Sequence, residues 1–266
     1  MSKKKISVKD YVKFWKNLHP GIRPFPCFLR FWEGKIKEIL KKNKNPKALV
    51  LGVTPEIRDL LAKYKIRTVC LDNSHLMIKT MGYLIKIKNP KEKIIKGDWF
   101  KMPFKDNTFD FVISDAPQDN FLFSLWHKFF NNIFKVLKPN GYLMLGVISF
   151  KGYKQGISLN QYIKLYRQNP KLIKKQDWKI FYLIKVASHP YFYNKKKKMG
   201  DWTKVDQELK KLWRKGKITE QEFNDLKTIS NEMGISLSCQ WPWHTLKEII
   251  SIFRKNNFQV LGYQED

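Results

Sequence analysis

The chain has 266 residues, 43% of them hydrophobic and 15% aromatic, enough to bury one sizeable core or two unequal ones and to exclude a disordered or collagen-like chain. Its 52 Lys and Arg residues against 23 Asp and Glu leave a formal net charge of +29, which raises a negatively charged partner without constraining the fold. Cys27, Cys70 and Cys239 share no metal-ligand spacing, so no zinc site or disulfide framework is expected, and a reducing cytoplasm fits.

Met1 to Lys5 is basic, but Lys9, Asp10, Lys13 and Lys16 follow where a signal peptide would have an apolar core, and no apolar run reaches membrane length. A soluble, untargeted protein is the expectation. Ile6, Tyr11, Phe14, Trp15 and Leu18 stand near helical spacing until the Pro-rich stretch His19 to Pro26 breaks the helix. A second helix is expected over Phe28 to Lys41. Five short β-rich runs follow, Ala48 to Leu51, Thr68 to Leu71, Ile94 to Lys96, Phe109 to Ser114 and Tyr142 to Ile148, and read as parallel strands.

Helix start signals lie between these strands. Thr54-Pro55-Glu56 supplies an N-cap, a proline at the first helical position and an acid in the first turn, and Ser74 precedes a Met77, Met81, Leu84 stripe. Such alternation predicts an open α/β sheet with helices on both faces, nucleated by residues 48–148. Residues 151–200 show no clear period. Beyond them, Val205, Leu209, Leu212 and Trp213 line a helix ended by Gly216, and Thr219 with Glu222 forms a capping box for a second one. Thr245 with Glu248 opens a last helix, and a final strand is expected over Phe258 to Leu261.

In an open parallel sheet the ligand sits beyond the carboxyl ends of the strands, so the residues just after each strand are informative. The first strand turns into its helix through Gly52. A dinucleotide fingerprint beginning there would need two more glycines, at the places occupied by Thr54 and Ile57, so a pyrophosphate cradle is not expected. Asp72 closes the second strand, the place from which a carboxylate accepts from ribose hydroxyls. After the third strand, Asp98 beside Trp99 could accept from an adenine amino group while the ring packs its face, although a plain core role for Trp99 and Phe104 is the commoner case. Asp115 to Gln118 put polar groups at the mouth of the fourth strand.

Gly52, Asp72, Gly97-Asp98-Trp99, Phe109-Asp110-Phe111-Val112 and Val136-Leu137-Lys138-Pro139-Asn140-Gly141-Tyr142 resemble, in order, the motifs of class I S-adenosylmethionine-dependent methyltransferases. More narrowly, Leu51 to Glu56 with the later Gly-Asp-Trp is similar to a bacterial and archaeal branch of these enzymes. The resemblance covers residues 10–148 and, loosely, 240–262. It implies a Rossmann-like fold and S-adenosylmethionine as cofactor, bound by Gly52, Thr54, Asp72, Asn73, Asp98, Trp99 and Asp115. The family's glycine-rich first motif is reduced here to Gly52, and Asp115-Ala116-Pro117-Gln118 only partly matches the Pro-Pro-aromatic signature of exocyclic amine methylation. The family's seventh strand is either supplied by another segment, such as Lys179 to Val186, or absent.

The expected organisation is an N-terminal helical cap (1–46), a cofactor-binding core (47–148), an insertion walling the substrate site (149–240) and a C-terminal helix and strand completing the core (241–266). Methyl transfer from a sulfonium asks chiefly for alignment, and a base only where the nucleophile arrives protonated. Asp115, Asp119, His127, Tyr11 and His19 are candidates for that base, none assigned. His75, His189 and His244 read as surface or capping residues, and Lys195 to Lys198 as a solvated loop. A small-molecule acceptor is the first expectation for a partner. A nucleic-acid methyltransferase and a cofactor-binding interaction protein without catalysis are the alternatives.

Overall fold

The structure, a computed structural model, describes residues 7–16, 23–147, 149, 156–174, 176–194, 196, 199–227, 240–242 and 244–263. They fall into two compact units. The larger comprises residues 7–118, 124–148 and 249–266, and the smaller residues 1–6, 119–123 and 149–248.

In the larger unit, α1 (Val8–Lys16) and α2 (Pro26–Lys42) precede β1 (Lys47–Leu51), α3 (Pro55–Lys63), β2 (Arg67–Asp72), α4 (His75–Gly82), β3 (Glu92–Lys96), β4 (Phe109–Asp115), α5 (Trp126–Val136) and β5 (Leu137–Gly146). The strands form one parallel sheet in the order β3-β2-β1-β4-β5, flanked by helices, which is the doubly wound, Rossmann-like arrangement. Ala48 to Leu51 of β1 and Phe111 to Ile113 of β4 are fully buried, as strands covered on both faces must be. Pro55 opens α3 as expected, although the Thr54 side chain makes no cap bond, and the Ser74 hydroxyl accepts from the Met77 N–H to open α4. Arg58 of α3 reaches Glu92 of β3 through two nitrogens, with the guanidinium 5% exposed, which ties helix to sheet edge.

β5 begins earlier than expected, at Leu137. Its first residues hold Asn140 at a φ of 60° and Gly141, where a Cβ would stand 2.9 Å from the Lys138 carbonyl and 3.1 Å from that of Asp110. The Lys-Pro-Asn-Gly turn is thus pressed against β4, and pairing slips between Phe109 and Phe111.

The smaller unit holds α6 (Leu159–Gln168), α7 (Pro170–Lys174), α8 (Gln176–Ala187), a three-stranded antiparallel sheet of β6 (Tyr193–Asn194), β7 (Met199–Asp201) and β8 (Gln240–Pro242), and the hairpin of α9 (Trp202–Arg214) and α10 (Glu220–Leu226). Its core gathers Tyr162, Leu183, Val186, Val205 and Leu209, all fully buried. The Thr219–Glu222 capping box forms in both directions. α11 (Leu246–Lys255) starts in this unit and finishes in the larger one.

Two strand expectations are corrected. Lys179 to Val186 lies inside α8. After α11, Asn257 takes a φ of 64°, the Phe258 N–H donates back to the Phe253 carbonyl, and the Phe258 ring packs edge-on against Phe134 at 5.6 Å. That cap spends the apolar start of the run on the helix end, and residues 258–263 form no strand. Among the described residues no helix is long and apolar enough to cross a membrane.

Candidate functional site

Strand order reverses between β1 and β4, so the crevice beyond their carboxyl ends is where this fold offers a ligand room. Gly52 follows β1 with a φ of 100° and donates its N–H to the Leu71 carbonyl at 2.8 Å. The Trp99 indole N–H donates to the same carbonyl at 2.7 Å, which lays the ring across the strand ends. A Cβ on Gly52 would stand 3.9 Å from Trp99 Cζ2 and 4.0 Å from Asp72 Oδ2, ordinary contact distances. Backbone conformation, and not lack of space, therefore demands glycine here. Three of the expected site residues meet at this point.

Asp72 is the buried member of that group. Its Oδ1 accepts from the Ser74 N–H at 2.7 Å, while Oδ2 is the oxygen on the Gly52 side. Burial pushes its carboxyl above the ordinary carboxylate range, against the opposing pull of the Ser74 bond. A buried carboxylate with one oxygen turned to a glycine turn fits two vicinal hydroxyls, as a ribose presents them.

The turn after β3 is seated on the end of β2. Gly97 donates its N–H to the Asp72 carbonyl at 3.0 Å, and a Cβ on it would come within 2.8 Å of Leu71 Cδ1. Asp98 is exposed and closes its own turn, with Oδ1 accepting from the Phe100 N–H at 2.8 Å. It is not brought to the Gly52, Asp72 and Trp99 group. Asn73 is exposed beside Asp72, and Thr54 holds the N-cap position of α3 without a side-chain cap bond.

Asp115 ends β4 with its carboxylate over β5, where a Cβ on Gly146 would collide with Oδ1. Burial, with the Glu56 charge adding to it, raises its pKa to about 7. Glu56 stands in the first turn of α3; its Oε1 takes the Arg23 guanidinium at 2.7 Å, and its buried Oε2 has no hydrogen-bond partner among the described residues. Sequence reasoning took Glu56 only as a helix-start residue. Its pairing with Asp115 depends on β1 and β4 being neighbours, which no spacing in the sequence shows.

Of the candidate bases, Tyr11 is buried in α1, which packs on α4, and burial raises its hydroxyl pKa. His127 is exposed in the first turn of α5. Asp119 lies in the short 3-10 turn Pro117–Asn120 and interacts with other groups. His244 corrects its surface expectation: it is 1% exposed and stacks on Phe123 with centroids 4.0 Å apart. His19, Cys239 and most of the Lys195 to Lys198 run lie outside the described residues. Among the described residues no His, Cys, Asp and Glu cluster could hold a metal ion.

Residues 51–145, about a third of the chain, match the family model described as a methyltransferase domain. No curated protein matches the chain in sequence. Similar solved structures include the YcgJ protein of Bacillus subtilis, at 18% identity over 42% of this chain and 48% of that one, with a TM-score of 0.34. A methyltransferase of Methanosarcina mazei is 21% identical over 47% of this chain and 58% of its own, with a TM-score of 0.35. One from Thermotoga maritima is 13% identical over 81% and 65%, with a TM-score of 0.40. The chain thus spans between about half and two thirds of these proteins' length.

Proposed function

We propose that the chain, whose residues 51–145 match a methyltransferase domain, moves the methyl group of S-adenosylmethionine to a small-molecule acceptor. The observation that carries this is the meeting of Gly52, Asp72 and Trp99 beyond the ends of β1 and β2. When bound, S-adenosylmethionine supplies a sulfonium methyl already activated for in-line displacement. The chain's contribution is then positional. Asp72 accepts from the ribose hydroxyls, the Gly52 turn lets the backbone come close, and Trp99 floors the same corner. Asn73 and Thr54 border it as further cofactor contacts, while Asp98, held in its own turn, stands apart from it.

Asp115 and Glu56 make the mouth of β4 acidic. That favours a cationic group, and a carboxylate titrating near 7 is suited to accept a proton from an acceptor that arrives protonated. The same charge opposes a phosphodiester at this end of the sheet, which supports a small molecule over a polynucleotide as acceptor. A cytoplasmic location belongs to the same proposal, supported by Cys27 and Cys70 as buried free thiols.

Calorimetry with S-adenosylhomocysteine tests it. One binding site per chain is expected, and the absence of binding at millimolar concentration in a folded sample would overturn the proposal.

A further inference from the structure

At the amino ends of the same strands, opposite Gly52 and Asp72, the chemistry reverses. A cavity of about 160 Å³ opens beside the starts of β1 and β2, and Lys44, Lys65, Arg67 and Lys91 line it together with Pro46 and Tyr64. All four cations are exposed, and none forms an ion pair among the described residues. Lys47 and Lys93 extend the set across the sheet, while Lys138 is paired with Asp110. Lys47 and Arg67 are register partners on β1 and β2, Lys93 follows on β3, and Lys138 starts β5 on the other side. The Lys47 ammonium is held below its ordinary range, first by partial burial and then by the charges of Arg67, Lys138 and Lys93. The acids nearby are engaged. Asp110 takes the Lys47 N–H, Asn43 and Lys138, and Glu92 takes Arg58.

Helix termini do not account for this set. α2 and α3 end at this rim, and each helix end carries about half a negative charge, so two of them answer about one cation. The remainder is uncompensated. Its layout is linear, because neighbouring strands lie about 4.8 Å apart and the two steps from β1 to β3 set Lys47, Arg67 and Lys93 along roughly 10 Å. At a rise of about 3.4 Å per nucleotide, that length matches three or four phosphates of one strand.

We propose that this amino-end row is a docking surface for the phosphodiester backbone of a nucleic-acid strand, separate from the methyl-transfer site. It reads charge and not sequence, since Tyr64 is the one aromatic ring in the cavity lining and stacking on bases has little to work with. It lies at the other end of the strands from the cofactor corner, about 13 Å along β1 from Lys47 to Leu51, so the bound strand is an anchor and not the acceptor.

Fluorescence anisotropy on the full chain tests it, with labelled 12-nucleotide RNA and DNA strands of two unrelated sequences. Three or four phosphate contacts predict affinity falling roughly 20- to 50-fold between 50 and 200 mM salt, with the two sequences bound alike. The two arms show whether RNA or DNA is the better source of the backbone.

The variant Lys65→Glu, Arg67→Glu, Lys91→Glu should lose at least about tenfold in affinity and flatten the logarithmic salt slope by about two. A control with the same charge change elsewhere, Lys164→Glu, Lys210→Glu, Lys215→Glu, should lose less than about threefold. Should the first variant melt early, the Gln series at the same three positions replaces it, with a smaller loss in the same direction. Equal losses in the variant and the control would show that only scattered charge is being read and overturn the proposal. So would tighter binding of polyglutamate or of phosphatidylserine vesicles than of either oligonucleotide. Cofactor calorimetry on the same variant is expected to be unchanged, and a failure of cofactor binding in every chain would count against the methyltransferase proposal alone.

Discussion

Asp72 is fixed by one bond from the Ser74 backbone, so its removal should disturb a ligand more than the fold. Asp72→Ala is expected to weaken S-adenosylhomocysteine by about 1.5 to 3 kcal/mol, the range for bonds to a charged group. Asp106→Ala, in an exposed turn, should leave it unchanged; calorimetry showing equal affinities would remove the ribose assignment. Asp115 gives a pH dependence of opposite sign for stability and for binding. Its folded pKa of about 7 stands above the unfolded value, so the contribution of its neutral form is fully present below about pH 4 and is lost as pH rises toward 7. Affinity for the cationic S-adenosylmethionine should instead rise between pH 6 and 8 as the carboxylate ionises, and Asp115→Asn should flatten that rise in a titration series. At this scale Gly52, Asp72 and Trp99 were legible, because strand-end position alone marks them. Glu56 and Arg23 were not, since a contact between chain segments 33 residues apart leaves no local pattern.

Among the elements, two glycines make opposite predictions. Gly52 sits at a φ of 100° with room for a methyl group, so Gly52→Ala should cost about 1 to 2 kcal/mol of backbone strain and lower the melting temperature by roughly 2 to 8 °C. Gly34 lies inside α2 with open space around it, and Gly34→Ala should raise stability by about 0.5 to 1 kcal/mol. Melting curves that move the same way for both would contradict the conformational explanation. The β strands and capped helices of the core were legible because buried strands are continuous apolar runs and caps use few residue types. α8 was not. Its Phe181, Tyr182, Leu183, Ile184 stretch is apolar on adjoining positions, so the helical period is hidden and a strand is the natural misreading. The Phe258 to Leu261 run failed for the converse reason: its alternation is correct, but the helix cap captures its first residue.

Over the whole chain, the charge of +29 was the part least legible in sequence. Composition shows lysine everywhere. Only the parallel sheet brings Lys44, Lys65, Arg67 and Lys91 to one cavity, since strand starts far apart in the chain become neighbours, and the same geometry collects Glu56, Asp72 and Asp115 at the other end. The core is therefore electrically polarised along its strands, with the anionic end facing the cofactor corner. β3 adds a consequence of another kind. It pairs with β2 on one side and is the sheet's outer strand on the other, with Ile94 38% exposed between Lys93 and Lys96. A strand edge unpaired among the described residues is a template on which a second molecule can extend the sheet, and like charges along it keep two such edges apart. Screening shortens that repulsion to about 3 Å at 1 M salt. Concentrated salt is then the condition under which copies would begin to join edge to edge.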